Sequence, residues 1–283
     1  MRFMRVGPAG AERPMLAGAD GRHYDLSALT DDVTGAFLAS DGPARVREAY
    51  DAGRLSPVDI AGQRVGVPIA RPGVVLCIGV NYAAHAAESG IAPPAEPIIF
   101  YKAPNTVIGP HDDVLIPRGS TRTDWEVELA VVIGARARYL SSPAEAVGCI
   151  AGYATSNDLS EREFQLERSG GQWSKGKSCE TFNPLGPWLV TSDEVGDPQA
   201  LTLRSWVNGE PRQDSSTADM IVPVTHLIWH LSQFTVLEPG DVVNTGTPPG
   251  VALAGRFAYL KPGDVVEMEV GGLGRQRNAC RAA

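Results

Sequence analysis

Leu129-Ala-Val-Val-Ile133 is an unbroken apolar run of strand length, closed by Gly134 and entered through Asp124, Glu126 and Glu128. It reads as a buried strand. It constrains the fold more than any other stretch, because burying it draws three carboxylates to the edge of the core. Side chains alternate along a strand, so Glu126 and Glu128 share a face, and Asp124 joins them if the strand reaches that far. At a spacing of about 7 Å the two glutamates repel each other unless a cation lies between them. Mg²⁺ and Ca²⁺ prefer such oxygen ligands. Asp158, in Ser-Asn-Asp-Leu-Ser-Glu-Arg-Glu163, is the candidate third carboxylate. The alternative is an exposed strand end with solvated acids, and spacing alone leaves both readings open.

Other short apolar runs share this punctuation. Val74–Val80, Ala95–Pro104, Trp188–Thr191 and Leu203–Val207 read as strands, with Asn208-Gly209 as a tight hairpin turn. Helical patterns are few: Asn81–Ser89, rich in alanine, and Val222–Phe234, with Val224, Leu227, Ile228 and Leu231 on one side. No βαβ alternation supports a doubly wound sheet, so the expected class is mainly β with short helices, α+β. Residues 1–68 differ from the rest. They are turn-rich, with short strands around Gly18-Ala-Asp-Gly21 and one helix ending at Gly53, and read as a small leading domain before a main domain of residues 69–283.

Composition narrows the function classes. A net charge of −8 argues against a nucleic-acid partner. No run of about 18 apolar residues suggests a membrane span. Met1–Pro14 is charged and lacks the apolar centre of a secretory signal. Cys77, Cys149, Cys179 and Cys280 are scattered, which disfavours a disulfide framework or a zinc knuckle. A reduced, cytoplasmic protein is expected.

His85 and Glu88 stand three apart on the first helical pattern. There a carboxylate can orient an imidazole as a general base for water, or the two form a surface pair. Arg162 and Gln165 follow Asp158 by four and seven positions, a spacing that puts all three on one face if the segment is helical. Thr247 offers a hydroxyl in a glycine-rich turn. His226 and His230 lack the glutamate of a zinc-protease helix, since Leu227 stands in its place.

Five stretches, in order, together resemble the fumarylacetoacetate hydrolase family: IGVNYAAHAAE, DWEVELAVVIG, NDLSEREFQ, GKSCETFNPLGPW and LEPGDVVNTGTPPGV. The resemblance covers about residues 70–280, and the leading segment is similar to the small N-terminal domain of many bacterial members. It implies a mixed β-sandwich roll, a homodimer, and one divalent metal per subunit, Mg²⁺ first, with Mn²⁺ or Ca²⁺ as alternatives. It places the metal on Glu126, Glu128 and Asp158, and makes His85 and Glu88 the water-activating dyad. It selects Lys177 over Lys175 to hold an anionic oxygen, and assigns Arg162, Gln165 and Thr247 to a 2-oxo acid substrate. The implied reaction is hydrolytic C–C cleavage of a 2,4-diketo acid to pyruvate and an acid. The branch is that of acylpyruvate and 2,4-diketo-3-deoxy sugar acid hydrolases. The rivals are a decarboxylase acting on oxaloacetate, an isomerase or lyase on a related 2-oxo acid, and an inactive metal-binding scaffold. With His85 as base, activity should fall as the imidazole is protonated.

Overall fold

A computed structural model describes residues 1–283. Two sheets dominate it. The larger has ten strands in the spatial order Pro57–Val58, His23–Asp25, Arg13–Ala17, Arg2–Val6, Leu189–Thr191, Ile150–Asn157, Val127–Ile133, Val242–Asn244, Val75–Gly79 and Ile98–Lys102. The smaller has five: Glu210–Ser216, Thr202–Val207, Val265–Val270, Gly274–Ala282 and Val114–Ile116. Within these two sheets pairing is antiparallel except where Val242–Asn244 meets Val75–Gly79 and where Gly274–Ala282 meets Val114–Ile116. The chain is mostly β with short helices, as the run lengths predict.

The strand Val127–Ile133 lies inside the large sheet and is buried along its whole length. Its alternation sorts two cores. Val127, Leu129, Val131 and Ile133 pack with Leu203, Val266, Met268 and Val270 of the smaller sheet. Ala130 and Val132 point the other way and pack with Phe3, Leu16, Phe37 and Val46. The leading segment therefore shares a core with the main body. It also shares the sheet, because Arg2–Val6 pairs with Leu189–Thr191.

Local elements follow from their residues. Asn208 and Gly209 have φ of 54° and 80°, the left-handed pair a two-residue hairpin needs. The helix Val224–Ser232 buries Val224, Leu227, Ile228 and Leu231 against the core between the sheets. Two expectations need correction. The strand entering the apolar run starts at Val127, because Thr123–Asp124 pairs separately with Ser160–Glu161. Asp158 is not on a helix with Arg162 and Gln165. It follows the strand Ile150–Asn157, and only Glu163–Glu167 coils, as a single π-type turn.

Candidate active site

Antiparallel pairing of Val127–Ile133 with Ile150–Asn157 matches Val127 to Asn157, which brings Glu126 and Asp158 together. The Asp158 N–H donates to the Glu126 carbonyl at 2.9 Å. Glu128 lies two residues on, inside the strand itself. One oxygen from each of Glu126, Glu128 and Asp158 lies within 4.8 Å of the others, and all three side chains are buried. That spacing is compatible with a shared hard cation, whose oxygen bonds run roughly 2.3–2.6 Å for Ca²⁺.

Three buried cations surround the acids. Lys177 Nζ donates to Glu126 Oε2 at 2.6 Å and to Asp158 Oδ2 at 2.8 Å. Lys102 Nζ donates to Asp158 Oδ1 at 2.5 Å and to the Leu159 carbonyl. Arg162 donates to Glu126 Oε1 at 2.7 Å, to Asp124 Oδ2 at 2.8 Å and to Gln165 Oε1 at 2.9 Å. Burial pushes the Glu126 carboxyl up, but Lys177 and Arg162 outweigh it and hold it down at about 2. Burial also works against the Lys177 ammonium, yet Asp158 and Glu126 keep it charged, above its ordinary range.

Glu128 is different. It accepts the Gly246 N–H at 2.7 Å and has no cation in contact. Burial, then Asp158, then Glu126, push its carboxyl well above the ordinary carboxylate range. With Asp124 included, four buried carboxylates face three buried cations, and the uncompensated charge falls on Glu128. A divalent cation beside Glu128 removes that excess, so these residues fit the metal on charge as well as on donor type.

Glycine at position 246 is required twice over. Its φ is +97°, and an added Cβ would lie 2.8 Å from Asn81 Cβ. Asn81 in turn donates to the carbonyls of Val222 and Thr245, tying this loop to the turn before helix Ala83–Glu88.

That short helix carries His85 and Glu88. Nδ1 of His85 lies 3.5 Å from Glu88 Oε2 and is buried without a hydrogen-bond partner. Glu88 is fixed from its other side by the Gly250 N–H. His85, Glu88, Glu126, Glu128, Arg162, Gln165, Lys177 and Thr247 all line one cavity of about 390 Å³. Thr247 donates its hydroxyl to the Val127 carbonyl and accepts from Gln213, so it also braces the start of the glutamate strand.

Several site residues escaped sequence reasoning. Lys102 is one, and its signal was present: it alternates with buried Phe100 around exposed Tyr101, which puts a lysine on an inward face. Asp124 is another. It is fully buried and accepts from Arg162 and from the N–H groups of Trp125, Ala252 and Leu253, so it organises a wall of the cavity. Trp173, which also lines the cavity, sits over Gly79, where a Cβ would meet its Cζ3 at 2.4 Å. Cys179 lies outside the cavity lining, and burial pushes its thiol up to about 11. Lys175 is exposed and donates to the Arg168 carbonyl. His226 and His230 lie on the core-packed helix, each against a neighbouring aromatic ring.

The fold thus carries a buried acidic triad that could hold a divalent metal, with Glu126 and Glu128 lining the cavity. Residues 74–281 match the model for the fumarylacetoacetate (FAA) hydrolase C-terminal domain. A relative from Burkholderia multivorans, whose name carries no substrate, is 48% identical over 285 residues, covering all of both chains. The chain belongs to the fumarylacetoacetate hydrolase family. Among solved structures it is similar to 5-carboxymethyl-2-hydroxymuconate delta-isomerase from Mycobacterium smegmatis. That match has 32% identity and a TM-score of 0.78, and covers 100% of this chain and 99% of the other. It is also similar to maleylpyruvate hydrolase from Sphingobium sp. SYK-6 in complex with manganese(II) ion and pyruvate. There the identity is 26% and the TM-score 0.82, with all of both chains covered. The family thus holds both hydrolases and isomerases. No helix of the chain is long and apolar enough to cross a membrane.

Proposed function

We propose that this chain is a metal-dependent hydrolase that cleaves a carbon–carbon bond of a 2,4-diketo acid, giving pyruvate and a carboxylic acid. The observation that carries this reading is the convergence of the His85–Glu88 pair and the acidic cluster on one cavity. Glu126, Glu128 and Asp158 would hold the cation, Mg²⁺ by preference and Mn²⁺ as an alternative. When bound, the cation supplies Lewis-acid polarisation of the 2-oxo acid end.

The protein side chains do the rest. Glu88, held by Gly250, orients His85 and stabilises it once it has taken a proton from water. The hydroxide so formed adds to the distal carbonyl, the bond to the adjacent methylene breaks, and the electron pair is left as the enolate of pyruvate. Lys177, already charged and buried, faces that oxygen as negative charge develops. A proton returned to the methylene carbon completes pyruvate. The Gln165 side-chain amide and the backbone N–H of Thr247 would hold the carboxylate end, since the Thr247 hydroxyl is given to the Val127 carbonyl. Arg162, which donates to Asp124, Glu126 and Gln165, supports the site by holding those three side chains. A homodimer is the expected assembly, checked by light scattering.

A second reading is isomerisation of a hydroxymuconate-type acid at the same centre, favoured by the similarity to the delta-isomerase. It needs no attacking water. The test is a panel of diketo and hydroxymuconate acids assayed by ultraviolet absorbance with Mg²⁺ or Mn²⁺, for the native chain and for His85→Ala. Turnover of diketo acids that disappears in His85→Ala supports hydrolysis. Unchanged hydrolysis in His85→Ala removes His85 from the role. Binding of metal without turnover of any member favours a scaffold.

A further inference from the structure

The cavity is graded from charge to grease. Its deep members, Glu128, Arg162 and Lys177, are almost fully buried, whereas Ile91, Leu166 and Leu253 are among the chain's few large apolar side chains left exposed, and all three line the mouth. Between them lie Ile78, Phe100 and Trp173, the last two in edge contact at 5.4 Å. Lys177 Nζ stands 5.0 Å over the Phe100 ring, so Phe100 marks the boundary between the two halves.

The cations lining this space are Arg162 and Lys177, plus His85 when protonated. Arg162 spends its donors on Asp124, Glu126 and Gln165, and Lys177 on Glu126 and Asp158. Both are held on acids and an amide at the inner end. Glu88, an acid left partly exposed, also lines this space. A second carboxylate placed against the outer wall would lose water, gain no cation and face Glu88, all of which disfavour it. An alkyl or aryl group placed there gains apolar contact instead.

We propose that the outer half of the cavity selects a neutral, apolar acyl group, so that the preferred 2-oxo acids carry one carboxylate and not two. This rests on the 2-oxo acid reading of the inner half. Leu166, Leu253 and Ile91 are the specificity-determining side chains, because they form the wall at the depth where the two substrate classes differ.

Binding tests this apart from turnover. The full chain, saturated with Mg²⁺, is titrated calorimetrically with pyruvate, 2-oxohexanoate and 2-oxoadipate, the last two of equal chain length. The expected result is that 2-oxohexanoate binds at least about tenfold tighter than 2-oxoadipate, because the two differ only in a terminal methyl against a carboxylate that would lose water without gaining a cation. In Leu253→Lys and Leu166→Lys, both at exposed positions, that ratio should fall or invert. Equal or tighter binding of 2-oxoadipate to the native chain overturns the inference while leaving the 2-oxo acid reading intact. Failure of all three acids, pyruvate included, to bind the Mg²⁺-saturated chain overturns the reading itself and the inference with it.

Discussion

Replacing Arg162 with methionine separates two roles for this residue. The family resemblance makes it a substrate clamp, whereas the structure gives its donors to Asp124, Glu126 and Gln165. Its side chain is 3% exposed, beside Asp124 at 0% and Glu126 at 8%, so the ion pairs are buried. Breaking a buried pair by removing one partner costs about 3–5 kcal/mol. The lower end applies here. Asp124 keeps three backbone N–H donors, from Trp125, Ala252 and Leu253, and Glu126 keeps Lys177. A loss of about 3 kcal/mol lowers the melting temperature of a chain of 283 residues by roughly 5 °C. Circular dichroism melts of native and Arg162→Met protein, both metal-free, measure it. Adding Asp124→Asn should recover part of the loss, since it removes the charge left behind. A melting temperature within about 1 °C of native, together with a raised KM, would refute the structural role and restore the clamp.

Other consequences are as direct. The raised Glu128 carboxyl binds its proton more tightly folded than unfolded. Metal-free protein should therefore lose stability as pH rises from the ordinary carboxylate range through the raised value, and Glu128→Gln should flatten that slope in urea melts. The same variant should weaken Mn²⁺ binding by calorimetry at least about tenfold, a figure typical of outer-shell loss and hence a floor for a ligand. His85→Ala should keep Mn²⁺ affinity but lower kcat by about 10²–10⁴, the usual share of a general base. Gly246→Ala, forced to φ of +97° and against Asn81, should cost about 1–3 kcal/mol in urea unfolding and weaken metal binding through Glu128.

Much of the site was legible because strand alternation is simple. Glu126 and Glu128 before an apolar run are read as neighbours from alternation alone, and strand pairing brings Asp158 to them. The mainly β class followed from run lengths and from turn residues such as Asn208-Gly209. What stayed hidden depends on contacts between distant segments. The spacing of Asp158, Arg162 and Gln165 suggested one helix, but pairing of Ser160–Glu161 with Thr123–Asp124 holds that stretch extended until the π-type turn. Asp124 takes part through N–H groups of residues 252 and 253, more than a hundred positions away. Lys102 was readable from the Phe100–Tyr101–Lys102 alternation, yet its partner Asp158 was not. The leading segment looked separate by composition, while Phe3 and Leu16 pack with Ala130 and Val132 of the central strand.

The most direct test of the proposed chemistry is product stoichiometry. Mg²⁺-loaded protein is incubated with an alkyl acylpyruvate, and pyruvate and the acyl-derived acid are both quantified against substrate consumed. Hydrolysis predicts one pyruvate and one carboxylic acid for each substrate lost, with both products absent after chelation and restored by adding Mg²⁺ back. Substrate loss without pyruvate, or with an isomer or carbon dioxide in place of the acid, would contradict it.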